Sequence, residues 1–344
     1  MTIDRRSFLV ISAAVAAGAA FPAAASVRRR NRVAESILPW DALREDGKRG
    51  VWASAGDVPG GNVAIVTDGA GEALIIDAKF ASLGGAIRED AKSLASAASI
   101  TFVNTHHHGD HTGGNPAIVE VAAKRYAHEK LSGRVTAQLD SLRQQASAAA
   151  AQAGRMDAAL NHDALLELAG RMTDRAETLD AAAFLPTVQI GDEPRNIHVG
   201  AIEASLEHFG PGHTDNDLTV HIPSMNVLHT GDLVFSGLHP FFDPDGGSTV
   251  FGWMESLQQV RKLCDDETVV IPGHGKVGDR SIIDAQLQYH ERLLAAVQAE
   301  MKKGTPKDEL TAMKFDFFEG LGFEQIAGRA IGAVYDELEK NGNG

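Results

Sequence analysis

The run His106-His107-His108-Gly109-Asp110-His111 crowds imidazoles and a carboxylate onto one short loop directly after the apolar segment 100–103. Behind it come Thr112-Gly113-Gly114-Asn115-Pro116, in which Asn115 suits a helix N-cap and Pro116 the first turn of a helix over 117–123. The cluster is therefore expected where a strand passes into a helix. α/β proteins place their sites at such junctions, outside the carboxyl ends of strands. Histidine-rich runs also occur as exposed loops or tags, but an internal position behind a strand-like segment argues for a built site. Imidazole with carboxylate suits a borderline cation such as zinc, and this loop offers more donors than one four-coordinate ion needs, which points to two metals.

The flanking segments read as mixed strands and helices. Positions 62–67 and 73–77 are short apolar runs joined by Asp68-Gly69-Ala70-Gly71, a hairpin signal, while 86–97 reads as a helix and 100–103 as a buried strand. Further on, 197–208 and 218–222 look extended, Pro223-Ser224-Met225-Asn226 turns the chain, and 227–230 returns. Trp253, Leu257, Val260 and Cys264 then keep helical spacing ahead of a strand at 269–271. Two such halves, strands inside and helices outside, suggest a layered α/β sandwich. Between them 135–183, rich in Ala, Leu, Arg, Gln and Glu, reads as inserted helices. The stretches 282–301 and 307–338 read as a helical C-terminus, with Ile283, Leu287, Leu294 and Val297 on one apolar face.

Length and charge bound the partners. A chain of 344 residues, 44% hydrophobic and 23% charged, fits one large or two small domains. Its net charge of −14 argues against nucleic acid, whose binding needs phosphates neutralised by Lys and Arg. At the start, Asp4-Arg5-Arg6-Ser7-Phe8-Leu9 leads into an apolar stretch and then Ala23-Ala24-Ala25, the three parts of an export signal. The paired arginines resemble a twin-arginine leader, although Val10 stands where a Lys is usual. Residues 1–25 are thus expected to be a cleaved signal peptide and 26–344 the mature chain, a periplasmic or secreted protein carried by the twin-arginine export machinery. That route moves folded proteins, so a metal site can be loaded first. The apolar stretch is short for a membrane span and broken by Gly18 and Pro22. Cys264 is the only cysteine, so no intramolecular disulfide is possible, and a buried, inert thiol is expected.

Three later segments repeat the design of the histidine loop, each an apolar run ending in a glycine-containing turn that displays His or Asp. They are Gly210-Pro211-Gly212-His213-Thr214-Asp215, then Val227-Leu228-His229-Thr230-Gly231-Asp232, then Val269-Val270-Ile271-Pro272-Gly273-His274. At these positions the chain resembles the metallo-β-lactamase superfamily, whose ordered signature is an Asp ending an early strand, a His-x-His-x-Asp-His loop, a His, an Asp and a final His. Asp77, then His106, His108, Asp110 and His111, then His213, Asp232 and His274 fill those places, across about 62–275. The resemblance implies a four-layer αβ/βα sandwich with a core of about 50–280, a helical insertion at about 135–183 and C-terminal helices at 281–340. It also implies one metal held by His106, His108 and His213, a second by Asp110, His111 and His274, and Asp232 bridging them, with His107 pointing away. Asp77 would orient the loop. His208, His221 and His229 lie within extended runs and read as surface or packed side chains. His239, with Phe241 and Phe242 just beyond Asp232, is expected in a loop bordering the cleft.

The activity so implied is hydrolysis of a small-molecule substrate. Two adjacent divalent ions, zinc first and iron second, lower the pKa of a held water toward ~7, and the resulting hydroxide attacks a carbonyl while Asp110 orients it and moves its proton. Many β-lactamases of the superfamily carry Cys or Ser where this chain has Asp232, and thioesterase-like and lactonase-like members carry Asp. An ester, lactone or thioester is therefore the expected substrate, with β-lactams included because export places the enzyme where they arrive. Two other classes share the motifs: an iron-dependent persulfide dioxygenase, and a noncatalytic metal-binding protein whose ligands close the coordination shell.

Overall fold

The computed structural model describes residues 36–156 and 159–342. The expected leader at 1–25 lies outside the described residues. Strands β1 (Asp41–Asp46), β2 (Arg49–Ser54), β3 (Val63–Thr67) and β4 (Glu72–Ile76) form an antiparallel meander. Helix α1 (Gly84–Ala95) then crosses to β5 (Ser99–Val103), which lies parallel to β4. After the short helices α2 (Gly109–Thr112) and α3 (Asn115–Ile118), strand β6 (Ala122–His128) continues the parallel half. Helices α4 (Leu131–Ala137), α5 (Leu139–Ser147), α6 (Ala149–Ala153) and α7 (His162–Arg175) precede β7 (Val188–Ile190), which completes a seven-stranded sheet in simple chain order. The second sheet has five strands: β8 (Arg195–Val199), β9 (Ile202–Glu207), β10 (Thr219–Ile222) and β11 (Val227–Ser236) run antiparallel, and β12 (Val269–Gly275) joins β11 in parallel across helix α8 (Val250–Lys262). Helices α9 (Arg280–Lys302), α10 (Lys307–Thr311) and α11 (Ala327–Lys340) close the chain.

The period-two alternation of the strands makes four layers. In β3 and β4, Ile65 and Ile75 point outward to Ile87 and Ala91 of α1, while Val66, Leu74 and Ile76 point inward to meet Ala204, Leu206 and Val220 of the other sheet. The second sheet mirrors this, with Leu228 and Val270 packed outward on Trp253, Leu257 and Leu293 and with Val227 and Ile271 packed inward. A one-residue slip would exchange the two apolar sets, and each buried Val, Leu or Ile contributes about 1.5–3 kcal/mol, so the register is firmly set.

Several local expectations are corrected. The helix expected over 117–123 ends at Ile118, and the chain re-enters the sheet at Ala122, because the Tyr126-Ala127-His128 end of β6 is buried between β5 and β7. Asn115 is the first residue of α3 and not its cap; its amide donates to Asn104 Oδ1 (2.7 Å) and the Phe184 carbonyl (3.0 Å), tying the back of the histidine loop to the inserted helices. Strands β1 and β2 were not expected. The C-terminal helix expected over 307–338 is interrupted between Thr311 and Ala327, where Phe315 stacks on Phe317, Phe318 lies edge-on to both, and Gly320 takes a positive φ of 81°.

The base of the histidine loop is held by a backbone crossing. A Cβ added to Gly114 would lie 2.2 Å from the Ala78 carbonyl oxygen, and one added to Gly84 2.2 Å from the Gly114 carbonyl oxygen. Gly114→Ala is expected to cost about 2–3 kcal/mol in urea unfolding, the usual penalty of overpacking. Gly133→Ala, in a helix with open space at that position, is expected to be neutral or stabilising by up to about 1 kcal/mol.

Candidate metal centre

Every donor of the sequence motif leaves the sheets at one edge. Asp77 follows β4, the histidine loop follows β5, His213 lies on the connection from β9 to β10, Asp232 sits in the middle of β11 where its ladder is irregular, and His274 stands near the end of β12. The β11–β12 ladder shifts register around Gly231, which turns the Asp232 carboxylate out of the pairing pattern. A side chain at Gly273 would be 1.9 Å from Asp232 Oδ1, so glycine there makes room for the carboxylate.

Two groups of donors form. In the first, His108 Nδ1 lies 3.1 Å from His106 Nε2 and 2.9 Å from His213 Nε2. Asp232 Oδ2 approaches the same nitrogens, 3.7 Å from His106 and 3.3 Å from His213. In the second, Asp110 Oδ2 is 3.1 Å from His274 Nε2 and 3.9 Å from His111 Nε2. Asp232 faces this group too, with Oδ1 3.1 Å from His111 Nε2 and Oδ2 3.4 Å from His274 Nε2. A tetrahedral zinc with bonds near 2.0–2.1 Å spaces its donors by about 3.4 Å, so both groups have the dimensions of a coordination shell. The buried His111 Nε2 and Asp232 Oδ1 have no hydrogen-bond partner. Such orphaned atoms are costly unless something else, such as a cation, satisfies them.

The far nitrogen of each ring sets its tautomer. His213 Nδ1 donates to the Phe241 carbonyl at 2.8 Å, and His111 Nδ1 donates to Asp77 Oδ2 at 2.7 Å, so both Nε2 atoms face the centre. His108 is reversed: its Nε2 bonds Asp243 Oδ2 at 2.9 Å, so Nδ1 points inward. His106 Nδ1 rests on Thr105 Oγ1 at 3.1 Å, and that hydroxyl donates to Asp77 Oδ2 at 2.7 Å. Asp77 also accepts the Thr105 amide at 2.8 Å. One buried carboxylate thereby orients a ring in each group. It does so from a left-handed backbone (φ 64°), a conformation that Asp tolerates better than most residues.

Burial and charge oppose each other here. Burial takes His106 well below the ordinary imidazole range and His213 down to about 3, so both are neutral donors at physiological pH. At His111 and His274 burial acts in the same direction, but the carboxylates led by Asp232 outweigh it, holding His111 well above its usual value and His274 at about 9. Burial would raise Asp110 and Asp232, yet the surrounding imidazoles keep both carboxyls below their usual range. Three carboxylates, Asp77, Asp110 and Asp232, thus demand compensating positive charge among the imidazoles, whether protons or metal cations.

A family model described as the Metallo-beta-lactamase superfamily matches residues 56–274. The chain belongs to this superfamily. Its members are typically metal-dependent hydrolases. Two "Metallo-beta-lactamase type 2" proteins, from Bacillus cereus and Bacillus sp. (strain 170), are 31% and 30% identical to this chain over 88 residues. The match covers 26% of this chain and 34% of each relative, so it spans about a third of their length. The stereoselective inverting sec-alkylsulfatase Pisa1 from Pseudomonas sp. superposes with a TM-score of 0.60 at 16% identity, over 83% of this chain and 48% of its own, a likeness of fold alone.

The remaining histidines separate clearly. His107 turns from the first group to Asn216, 2.9 Å from its Nδ2, although its Nε2 stays 3.7 Å from Asp243. His229 is buried, its Nδ1 accepting the Gly231 amide at 3.1 Å, and His221 is half-buried on β10. His239, expected at the cleft border, is packed away: it bonds the Tyr289 hydroxyl at 2.9 Å and lies edge-on to Phe318. Phe242 is likewise in the core beside Trp253, whereas Phe241 flanks His108 and His213 and carries the Arg329 guanidinium over its ring. Cys264 is buried, and burial lifts its thiol to about 11. Sequence reasoning assigned no role to Asp243 or Lys79. The first is 135 positions from His108. Lys79 is buried with its Nζ donating to the Gly61 carbonyl at 2.7 Å, beside Asp110 and Asp77.

The loop carrying His213 is closed by Asp217, whose carboxylate accepts from the Thr214 amide (2.8 Å) and hydroxyl (2.6 Å). Burial pushes this carboxyl up to about 7. Because the folded state keeps a proton that the unfolded chain loses near pH ~3.9, this group's contribution falls as pH rises from about 4 to 7. Asp217→Asn is expected to flatten that decline in urea unfolding measured across the interval; an unaltered pH slope would contradict it.

Proposed function

We propose that the protein is a hydrolase of a small-molecule ester, lactone, thioester or β-lactam, working with two divalent ions, zinc in the first instance. The observation that carries this reading is Asp232, one carboxylate facing both donor groups. His106, His108 and His213 would hold one ion, Asp110, His111 and His274 the other, with Asp232 between them. A pair of such ions supplies Lewis acidity toward a carbonyl and a water of lowered pKa.

The chain's own residues do the rest. Asp110 is the donor with the most exposed carboxylate in its group and is ionised at neutral pH, so its oxygen not engaged with His274 can take a proton from the attacking water and return it to the departing group. Asp77 and Thr105 keep His106 and His111 in the tautomers that binding requires, and Asp243 does so for His108. Phe241 and Phe323, both part-exposed beside the imidazoles, offer apolar contacts that suit an acyl chain or ring. Arg329, over Phe241, adds a cationic head that suits a carboxylate-bearing substrate. An acidic bridging residue favours esters, lactones and thioesters within that range. The leader expected from the sequence at 1–25 is the ground for proposing a periplasmic or secreted location.

The test joins metal analysis of the purified protein to a panel of chromogenic cephalosporin, lactone and thioester substrates, with a chelator control. At least two zinc ions per chain and chelator-sensitive turnover are expected; iron with oxygen uptake on a persulfide would replace the hydrolase reading. Asp110→Asn is expected to lower kcat by 10²–10⁴-fold, roughly the share of acid–base catalysis, while the protein stays folded. Asp77→Ala is expected to weaken zinc binding about 10–100-fold, read by competition with a chromogenic chelator.

A further inference from the structure

Away from the centre, a second set of donors joins the two sheets. His128 ends β6, Asp192 follows β7, and His208 follows β9, so the three come from both sheets and from segments the motif does not include. Their donor atoms gather: His128 Nε2 lies 3.5 Å and His208 Nε2 3.9 Å from Asp192 Oδ1, and the two rings sit 4.2 Å apart, tilted by 38°.

Three details point to a ligand. His128 is fully buried, yet its Nε2 has no hydrogen-bond partner. His208 Nδ1 donates to the Asp217 carbonyl at 2.8 Å, which leaves its Nε2 as a lone pair facing Asp192, the arrangement that metal-bound imidazoles generally show. His128 Nδ1 accepts from the Lys130 amide at 3.4 Å, a long contact whose loss would let the ring proton move from Nε2 to Nδ1 and free Nε2 for a cation. Burial and the neighbouring His208 hold His128 below its ordinary value, which favours a neutral donor over an ion pair with Asp192.

We propose that His128, His208 and Asp192 form a separate binding site for one divalent transition cation, of the zinc class, that clips the first sheet to the second. Two imidazoles and a carboxylate are the donor set of such cations, and the distances of 3.5 and 3.9 Å to Asp192 lie close to the roughly 3.4 Å donor spacing of a tetrahedral shell. The Asp192 side chain, 81% exposed, can supply that adjustment. The site shares no residue with the centre, but it touches the strap that carries His213. His208 holds the Asp217 backbone, and the Asp217 carboxylate closes the turn at Thr214. A cation here braces that strap.

The experiment uses the full chain, stripped with chelator, reloaded with Zn²⁺ alone and desalted before zinc is counted. Wild type is expected to retain one zinc per chain more than Asp192→Ala or His208→Gln. At saturating zinc it should also show a Tm rise about 5 °C larger than either variant, the scale expected when an ion binds only the folded state. A variant carrying His106→Ala, Asp232→Ala and His274→Ala, which takes ligands from both ions of the main centre, should keep this one site, which separates its failure from failure of the main centre. If His208→Gln does not fold, Asp192→Ala decides, because its carboxylate is on the surface. An equal zinc count in wild type and Asp192→Ala overturns the proposal.

Discussion

Each inward-facing ring of the first group, and His111 of the second, is fixed by a bond at its other nitrogen: Phe241 carbonyl for His213, Asp243 for His108, Thr105 for His106, Asp77 for His111. A neutral imidazole has one donor and one acceptor, so committing the first to an outer partner aims the second at the centre. These bonds hold because the rings are buried, and burial strengthens them while keeping His106 and His213 neutral. Asp77 matters most. It serves both groups at once, directly through His111 and through Thr105 to His106, and couples their geometry without facing the cleft.

The sandwich supplies the rigidity that this arrangement needs. Parallel pairing of β4 with β5 and of β11 with β12 brings the loops after β4 and β5 beside Asp232 of β11 and His274 of β12. The shared apolar layer fixes the two sheets against each other, so loops distant in the chain meet. Glycines at Gly84 and Gly114 let backbones touch beneath the histidine loop, and Gly273 leaves room for Asp232. In each case a small residue lets a polar one approach.

The same edge explains why the centre is electrostatically tense. Carboxylates of Asp110 and Asp232 sit among imidazoles that burial would discharge, and the two influences divide the rings into neutral His106 and His213 and cation-favouring His111 and His274. Cations placed between them would relieve both the negative charge and the orphaned His111 Nε2 and Asp232 Oδ1. Phe241 and Phe235 pack their rings against His108 and His274.

By itself the sequence determined the donors, their order and the kind of element carrying each, because a strand that ends in a glycine turn bearing His or Asp is a local pattern. It also disclosed the inner strands β3, β4, β5 and β12, whose apolar runs are short and continuous. Others escaped it: the edge strand β1 is half-exposed, and the inner strand β6 carries the polar Lys124-Arg125 ahead of its buried end, so neither shows a continuous apolar run. Only the tertiary structure decided which partner each ring would find. Asp243 reaches His108 across 135 positions, and His239 turns into the C-terminal helices and away from the cleft. Such pairings depend on how the two sheets are packed, and packing is a property of the whole chain that no local spacing encodes.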